Sequence, residues 1–294
     1  MDRLLIIDGH AYAYRAFHAI RDLRSPEGCP TNAIYGFVKM LAKMRATVGP
    51  THLIVVWDGG LSAERVAALP GYKAQRPEMP DNLKPQLDEI VNYLEAAGVA
   101  SFRREGVEAD DYIACLAWRA ADAGMNVVIA SSDKDFMQLV SGRVGLLNPN
   151  DKSETIWTGE QVRSKTGVEP SQIVDWLSLM GDNVDNIPGV PGVGPKTAAD
   201  LLKQFGSVAE LYERLDEVKS EKLRGSLRAS EDAVRRNRDL VKLRDGLPCE
   251  FLPDALVQKP VDAGRLGELF GRWGFKGMLA ALEESSRVRQ AVLI

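Results

Sequence analysis

Arg3-Leu4-Leu5-Ile6-Ile7-Asp8 is an apolar run closed by an acid, with Gly9 directly after it. The same plan returns in Thr51-His52-Leu53-Ile54-Val55-Val56-Trp57-Asp58, followed by Gly59-Gly60. It returns again in Met125-Asn126-Val127-Val128-Ile129-Ala130-Ser131-Ser132-Asp133, with Asp135 just beyond. Short β-branched runs without polar alternation predict strands buried on both faces, hence parallel. Helical periodicity over roughly 31–48, 82–97 and 109–123 lies between them. Strand–helix alternation of this kind predicts an α/β fold with a mostly parallel sheet covered by helices. Ligands of such sheets bind beyond the carboxyl ends of the strands. Asp8, Asp58, Asp133 and Asp135 all fall at that edge. One strand-end acid is explained as a turn-former; three independent ones point to a shared purpose.

Glu108-Ala109-Asp110-Asp111 opens the helical run that continues through Gly124, with Ile113, Leu116, Ala117 and Ala120 at helical spacing. Acids are welcome at a helix N-terminus, each gaining about 0.3–1 kcal/mol from the dipole. Three anions in one turn repel one another, however, and the dipole compensates only about half a charge. A divalent cation would resolve the conflict if other acids converge there.

The 294 residues, 45% hydrophobic and 27% charged, suit a soluble globular protein of one large or two modest domains. No apolar run approaches the ~20 residues that span a bilayer, so no membrane partner is expected, and the N-terminus lacks a signal-peptide layout. Cys29, Cys115 and Cys249 are odd in number, far apart and free of any C-x-x-C pair. They fit neither a disulfide framework nor a zinc site and suggest a reducing cytoplasm. The net charge of −4 is indecisive about nucleic acid: setting aside the nine acids named below leaves 37 basic against 32 acidic residues.

Residues 59–85 interrupt the strand–helix order with Gly71 and two prolines within 77–80, reading as a long, mobile excursion. It carries Arg65, Tyr72, Lys73 and Arg76, which would hold cations and an aromatic above the acidic edge. A strand-like stretch, 154–157, then precedes Thr158-Gly159-Glu160-Gln161, a capping box opening a helix. Asp182 and Asp185 are spaced to share a face if helical. From about 208 onward the chain reads as charged-surface helices, including Arg235-Arg236-Asn237-Arg238.

Gly189-Val190-Pro191-Gly192-Val193-Gly194-Pro195-Lys196-Thr197 is not a P-loop, because Pro195 separates Gly194 from Lys196. It is not a dinucleotide fingerprint either, since Thr197 stands where a third glycine is needed. A helix, a Gly-x-Gly hairpin and a second helix do fit, with Pro195 in the first turn and exposed N–H groups facing an anion. Repeated phosphates of a nucleic-acid backbone match such a site; a plain tight corner between helices is the structural alternative. The candidate metal ligands are then nine: Asp8, Asp58, Glu108, Asp110, Asp111, Asp133, Asp135, Asp182 and Asp185. Oxygen-only ligands favour Mg²⁺ or Mn²⁺. So many acids suggest two ions, a pairing that activates water and stabilises the leaving oxygen in phosphodiester hydrolysis.

Taken in order, Asp8-Gly9-His10, Tyr14-Arg15, Tyr35-Gly36-Phe37, Trp57-Asp58, Tyr72-Lys73-Ala74-Gln75-Arg76, Glu108-Ala109-Asp110-Asp111, Asp133-Lys134-Asp135, Asp182-Asn183-Val184-Asp185-Asn186 and the glycine hairpin carry a resemblance. From residue 3 to about 280 the chain resembles the 5′-nuclease domain of bacterial DNA polymerase I and its flap endonuclease relatives. The resemblance implies a PIN-like α/β nuclease core over 1–160 with a helical arch near 59–85. It implies a helical DNA-binding region over 161–294, with a helix–three-turn–helix near 173–206. It also implies 5′→3′ exonuclease and 5′-flap endonuclease activity in primer removal and repair. Asp8, Asp58, Glu108, Asp110 and Asp111 would surround one metal, and Asp133, Asp135, Asp182 and Asp185 a second, with Asp110 bridging. Lys73 and Arg76 match cations at the scissile phosphate. Tyr14, Arg15, Tyr72, Gly192, Gly194, Lys196 and Thr197 match DNA-contacting positions, with K⁺ at the hairpin. Gly60 and Glu64 depart from the family, standing where Lys and Phe are usual. Implied partners are flapped, nicked or branched DNA and a DNA polymerase or sliding clamp, for a monomer in the bacterial cytoplasm at the nucleoid. The chain ends at Ile294 without a polymerase or proofreading domain, which reads as a free-standing nuclease or an excised domain.

Two rivals share the scaffold: a non-catalytic DNA-junction binder, disfavoured because clustered negative charge beside DNA serves no pure binder, and a PIN-type ribonuclease. A haloacid-dehalogenase phosphatase fails because Gly9-His10 follows Asp8.

Overall fold

The computed structural model describes residues 2–151, 153 and 155–292. Glu154 of the expected 154–157 strand and the last two residues of the expected C-terminal region lie outside the described residues. In chain order the elements are β1 (Arg3–Asp8), α1 (Gly9–Ala19), α2 (Asn32–Val48), β2 (His52–Trp57), α3 (Ala63–Ala68), α4 (Lys84–Ala96) and β3 (Ala100–Arg103). They continue with α5 (Ala109–Asp122), β4 (Asn126–Ala130), β5 (Val144–Leu147), β6 (Ile156–Trp157), α6 (Gly159–Thr166), α7 (Ile173–Met180), β7 (Gly181–Asp182) and β8 (Ile187–Pro188). Helices complete the chain: α8 (Pro195–Phe205), α9 (Val208–Glu213), α10 (Glu221–Ala229), α11 (Glu231–Val241), α12 (Pro253–Leu256), α13 (Ala263–Trp273) and α14 (Lys276–Val292). This is the expected α/β class with mostly parallel strands. Among the described residues no helix is long and apolar enough to cross a membrane.

Two compact units interleave in sequence: Met1–Asp58 with Glu78–Arg103 and Glu250–Ile294, and Gly59–Pro77 with Arg104–Cys249. In the first unit β1 pairs in parallel with β2, Leu4 opposite His52 through Asp8 opposite Val56, and β2 pairs in parallel with β3. Every residue of β2 is buried, as are Leu4 to Asp8 of β1, which accounts for their unbroken apolar runs. Gly9 is required by packing, since a Cβ there would collide with the Trp57 ring. Trp57 also stacks on Phe37 with centroids 5.9 Å apart. Helix α1 follows β1 without a linker because Asp8 is its N-cap, accepting from the Ala11 N–H at 3.0 Å.

In the second unit β4 pairs in parallel with β5, and β5 antiparallel with β6. Helix α5 buries Ile113, Leu116, Ala117 and Ala120, the face its periodicity predicted. The capping box at the start of α6 forms, the Thr158 hydroxyl accepting from the backbone while Gln161 reaches back. Two expectations change. Asp182 and Asp185 do not lie on a helix: α7 stops at Gly181, whose φ of +75° only glycine adopts easily, and the chain turns into the β7–β8 hairpin. The excursion after Asp58 is less open than its composition suggests. It forms the short α3 and a hydrogen-bonded turn that buries Arg65, Tyr72 and Lys73, because Glu108, the N-cap of α5, and Asp111 in its first turn take up their polar groups.

Candidate metal centre

Two acids belong to the first unit. Asp8 ends β1, and Asp58 follows β2, the parallel neighbour of β1. The Asp58 N–H donates to His10 Nδ1 at 3.0 Å, which fixes that ring nitrogen as the unprotonated acceptor. Burial holds the His10 pKa below its ordinary value against the opposing pull of Asp58 and Asp8. Tyr14 is half-buried and Arg15 exposed on α1.

The other seven acids lie in the second unit. Carboxylate oxygens of Asp135, Asp182 and Asp185 come within 4.8 Å of one another. Asp133 N-caps the short 3-10 helix Lys134–Leu139, its Oδ1 accepting from the Asp135 N–H at 2.9 Å. The cap delivers Asp135 into the cluster. Asp182 Oδ1 accepts from the Val184 N–H at 2.9 Å, which closes the hairpin turn and brings Asp185 round to face it. The i,i+3 pair therefore meets as foreseen, by a turn and not by a helix.

Asp135 Oδ1 is buried with no hydrogen-bond partner. Burial raises its pKa well above the ordinary carboxylate value, and Asp133, Asp182, Asp185 and Asp110 push the same way. A half-buried carboxyl crowded by other carboxylates, with one buried oxygen lacking a donor, is what a hard divalent cation satisfies. The donor set is all oxygen, so the residues fit Mg²⁺ or Mn²⁺.

The cations sit deeper than the sequence suggested. Lys73 Nζ hydrogen-bonds Glu108 Oε2 and lies 3.6 Å from Asp110 and 3.9 Å from Asp185. Burial opposes the charge on Glu108, but Lys73 and Arg65 outweigh it and hold the carboxyl at about 2. Arg65 donates to Glu108 Oε1 at 3.1 Å and to both oxygens of Asp111 at 2.8 Å. Tyr72, expected against DNA, is 4% exposed, and its hydroxyl donates to Glu108 Oε2 at 3.1 Å. Its ring is turned inward by that bond. Arg76 is the solvent-facing cation, its side chain 38% exposed and 2.6 Å from Asp185 Oδ1.

Two residues in left-handed backbone, Lys73 (φ 54°) and Asn186 (φ 56°), staple this segment to the hairpin. The Lys73 N–H donates to the Asp185 carbonyl at 2.9 Å, and Asn186 Nδ2 donates to the Gly71 carbonyl at 2.7 Å. Such strain clusters at functional sites. Asn186 and Lys134 stand within the sequence motifs but carry no assigned role there. The signal for Lys134 was a lysine enclosed by two acids; its Nζ is 3.1 Å from Asp182 Oδ2.

Beyond the hairpin, Trp176 Nε1 donates to the Pro195 carbonyl at 2.9 Å, locking α7 to the start of α8. Helix α8 begins at Gly194 without a side-chain cap, with Pro195 in its first turn. Gly192 needs its φ of +84°, whereas Gly194 has ordinary extended backbone and open space around a Cβ. Lys196 is exposed and Thr197 half-buried beside it.

An α/β fold with a carboxylate cluster whose donors suit hard cations, beside a helix start at Gly194 with no side-chain cap, points to a class: metal-dependent enzymes acting on phosphate esters. Comparison with known proteins narrows it. Residues 3–167 match the 5′-3′ exonuclease N-terminal resolvase-like domain, and residues 168–264 the 5′-3′ exonuclease C-terminal SAM fold. The chain is 39% identical to the 5′-3′ exonuclease of Aquifex aeolicus, covering 98% of this chain and 97% of that one. It is also 39% identical to DNA polymerase I of Bacillus caldotenax over 97% of its own length, but spans only 33% of that protein. A structure of the phage T5 5′-exonuclease with zinc bound superposes with a TM-score of 0.68 at 25% identity, covering 92% of this chain and 99% of that one. The T5 D15 flap endonuclease with DNA and metal ions shares the fold at 24% identity and a TM-score of 0.68, covering 91% and 98%. The chain belongs to the 5′-3′ exonuclease family, whose members are metal-dependent 5′ nucleases.

Proposed function

We propose that the chain hydrolyses DNA phosphodiesters at 5′ ends and 5′ flaps, as exonuclease and structure-specific endonuclease, using two Mg²⁺ or Mn²⁺ ions. The observation that carries this reading is the Asp135–Asp182–Asp185 cluster with its orphaned, buried Asp135 oxygen. Divalent ions held by these carboxylates would supply Lewis-acid charge and lower the pKa of water at neutral pH. By sequence motif, Asp8, Asp58, Glu108, Asp110 and Asp111 are assigned to one ion, and Asp133, Asp135, Asp182 and Asp185 to the other.

The chain's own groups do the rest. Arg76, oriented by Asp185 and open to solvent, contacts non-bridging phosphate oxygens as charge builds there. Lys73, held by Glu108, keeps the field near Asp110 positive at the leaving oxygen. Gly192, Gly194, Lys196 and Thr197 hold duplex phosphates at the start of α8, where unpaired N–H groups favour anions, with K⁺ assigned to the same hairpin. Tyr14 and Arg15 on α1 meet the displaced strand. In functional terms 1–160 is the nuclease core, 59–85 the arch and 161–294 the DNA-binding region. A monomer working in the cytoplasm at the nucleoid, recruited by a DNA polymerase or sliding clamp, fits the polymerase I relatives.

Incubating a 5′-flap duplex with the protein and Mg²⁺ should release the flap as an oligonucleotide, leaving 5′-phosphate and 3′-hydroxyl ends. EDTA should stop it. Tight flap binding without cleavage under Mg²⁺ or Mn²⁺ would instead support the junction-binder reading, and preferential cutting of RNA flaps a ribonuclease.

A further inference from the structure

Lys134 stands between Asp133 and Asp135 at the start of the short 3-10 helix that carries Asp135 into the carboxylate cluster. Its ammonium reaches across to Asp182, 3.1 Å from Oδ2, on a carboxylate only 6% exposed. The other Asp182 oxygen is already committed to the Val184 N–H. Among the described residues Oδ2 accepts no backbone hydrogen bond and is the less engaged oxygen Asp182 offers a cation, and Lys134 is on it. The remaining cations are engaged differently. Lys73 is anchored to Glu108 with its side chain 2% exposed, Arg65 is locked between Glu108 and Asp111, and Arg76 sits on Asp185. Lys134, with its side chain 32% exposed on a flexible four-carbon stem, is free to leave without opening the core.

We propose that Lys134 is the resident counter-cation of the Asp135–Asp182–Asp185 cluster, holding Asp182 in place until a divalent ion displaces its ammonium. This rests on the metal reading above and deepens it. Lys134 and an incoming ion compete for one oxygen face, and like charges within a few ångströms repel strongly in a half-buried site. The lysine thus sets the metal affinity of the DNA-free protein below what the three carboxylates alone would give. It acts as a positioning residue, through Asp182.

The test is Mn²⁺ binding to the DNA-free protein, followed by the loss of the free-ion paramagnetic resonance signal. Lys134→Gln should bind Mn²⁺ roughly tenfold tighter than the wild type, a coupling of ordinary size for two linked sites. Lys134→Arg, which keeps the charge, should stay near wild type. Lys165→Gln, removing an exposed charge elsewhere in the same unit, should change nothing. Thermal melts confirm folding, and Lys134→Met supplies the same comparison if Lys134→Gln unfolds. Unchanged or weaker Mn²⁺ binding in Lys134→Gln, or an equal gain in Lys165→Gln, overturns the proposal. A wild type that binds no Mn²⁺ overturns the metal reading itself, a distinct result.

Discussion

Arg65 and Asp111 form a buried fork-to-fork ion pair, Nη1 to Oδ2 and Nη2 to Oδ1 both at 2.8 Å, with each side chain 3% exposed. Arg65 also donates to Glu108 and to the Lys242 carbonyl, while the Arg244 N–H donates to Asp111 Oδ1 at 3.1 Å. The pair fastens the segment after Asp58 to the first turn of α5 and to the chain following α11. It also absorbs one of the three charges that looked excessive at the start of α5. Asp111 therefore acts first as the partner of Arg65, orienting the turn that presents Asp110.

Removing one side of such a pair leaves the other buried and uncompensated. Arg65→Ala should cost about 3–5 kcal/mol of folding stability by urea denaturation. Arg65→Met combined with Asp111→Leu should recover most of that loss. A loss in Arg65→Ala below about 1 kcal/mol would show that the pair is not buried as described.

Asp135 gives the proposed metal site a pH dependence. Its pKa is raised in the folded chain by burial, then by neighbouring carboxylates. The proton on it is therefore favourable to the metal-free fold, and that contribution is lost as pH rises through the raised value. A metal ion competes with the same proton. Mn²⁺ affinity should rise with pH from the acid side, with proton release on binding. Calorimetry in two buffers of different ionisation enthalpy checks this; binding heats independent of buffer would contradict it.

The hairpin glycines separate a folding requirement from a binding one. At Gly181 a Cβ would collide with the Ile187 carbonyl and φ is +75°, so Gly181→Ala should destabilise the protein by more than about 1 kcal/mol and weaken metal binding. At Gly194 φ is ordinary and the space is open, so Gly194→Val should melt like wild type. Its duplex affinity should nonetheless fall roughly tenfold, because the side chain stands where phosphate approaches the backbone. Fluorescence anisotropy with a labelled duplex reads the difference.

Thiol chemistry reports on the packing of α5. Cys29 is exposed, whereas Cys115 and Cys249 are buried. Burial and the Cys115 hydrogen bond push the Cys249 thiol up to about 12. In the native protein at neutral pH, an aromatic disulfide reagent should titrate one of the three thiols quickly and the others only in denaturant.

The strands that position the site were legible because Leu4–Ile7, Leu53–Trp57 and Val127–Ala130 are buried on both faces, which leaves an unbroken apolar signature. The acids at their ends were legible for the same reason: a charge that closes such a run stands out. Helix α1 was not, because Gly9-His10-Ala11-Tyr12 has no helical signature until Asp8 is known to cap it. The ion pairs were hidden as well. Arg65 with Asp111 and Lys134 with Asp182 are separated by 46 and 48 positions, and no local spacing announces them. Tyr72 reads as outward-facing from sequence because a Gly- and Pro-rich stretch reads as solvated loop, whereas its hydroxyl bonds Glu108 in the interior. Three acids of α5 could equally have faced water.

The central claim is that the carboxylate cluster is a metal centre that cuts DNA, and Asp135→Asn tests it most directly. The change keeps size and shape while removing the carboxyl whose negative charge would otherwise have to form beside other carboxylates when a metal binds. Single-turnover cleavage of a 5′-flap duplex in Mg²⁺ should fall roughly 10²–10³-fold, the scale of losing one electrostatic partner of the transition state. The metal-free melting temperature should hold or rise. Flap cleavage by the folded Asp135→Asn protein at the wild-type rate would contradict the assignment.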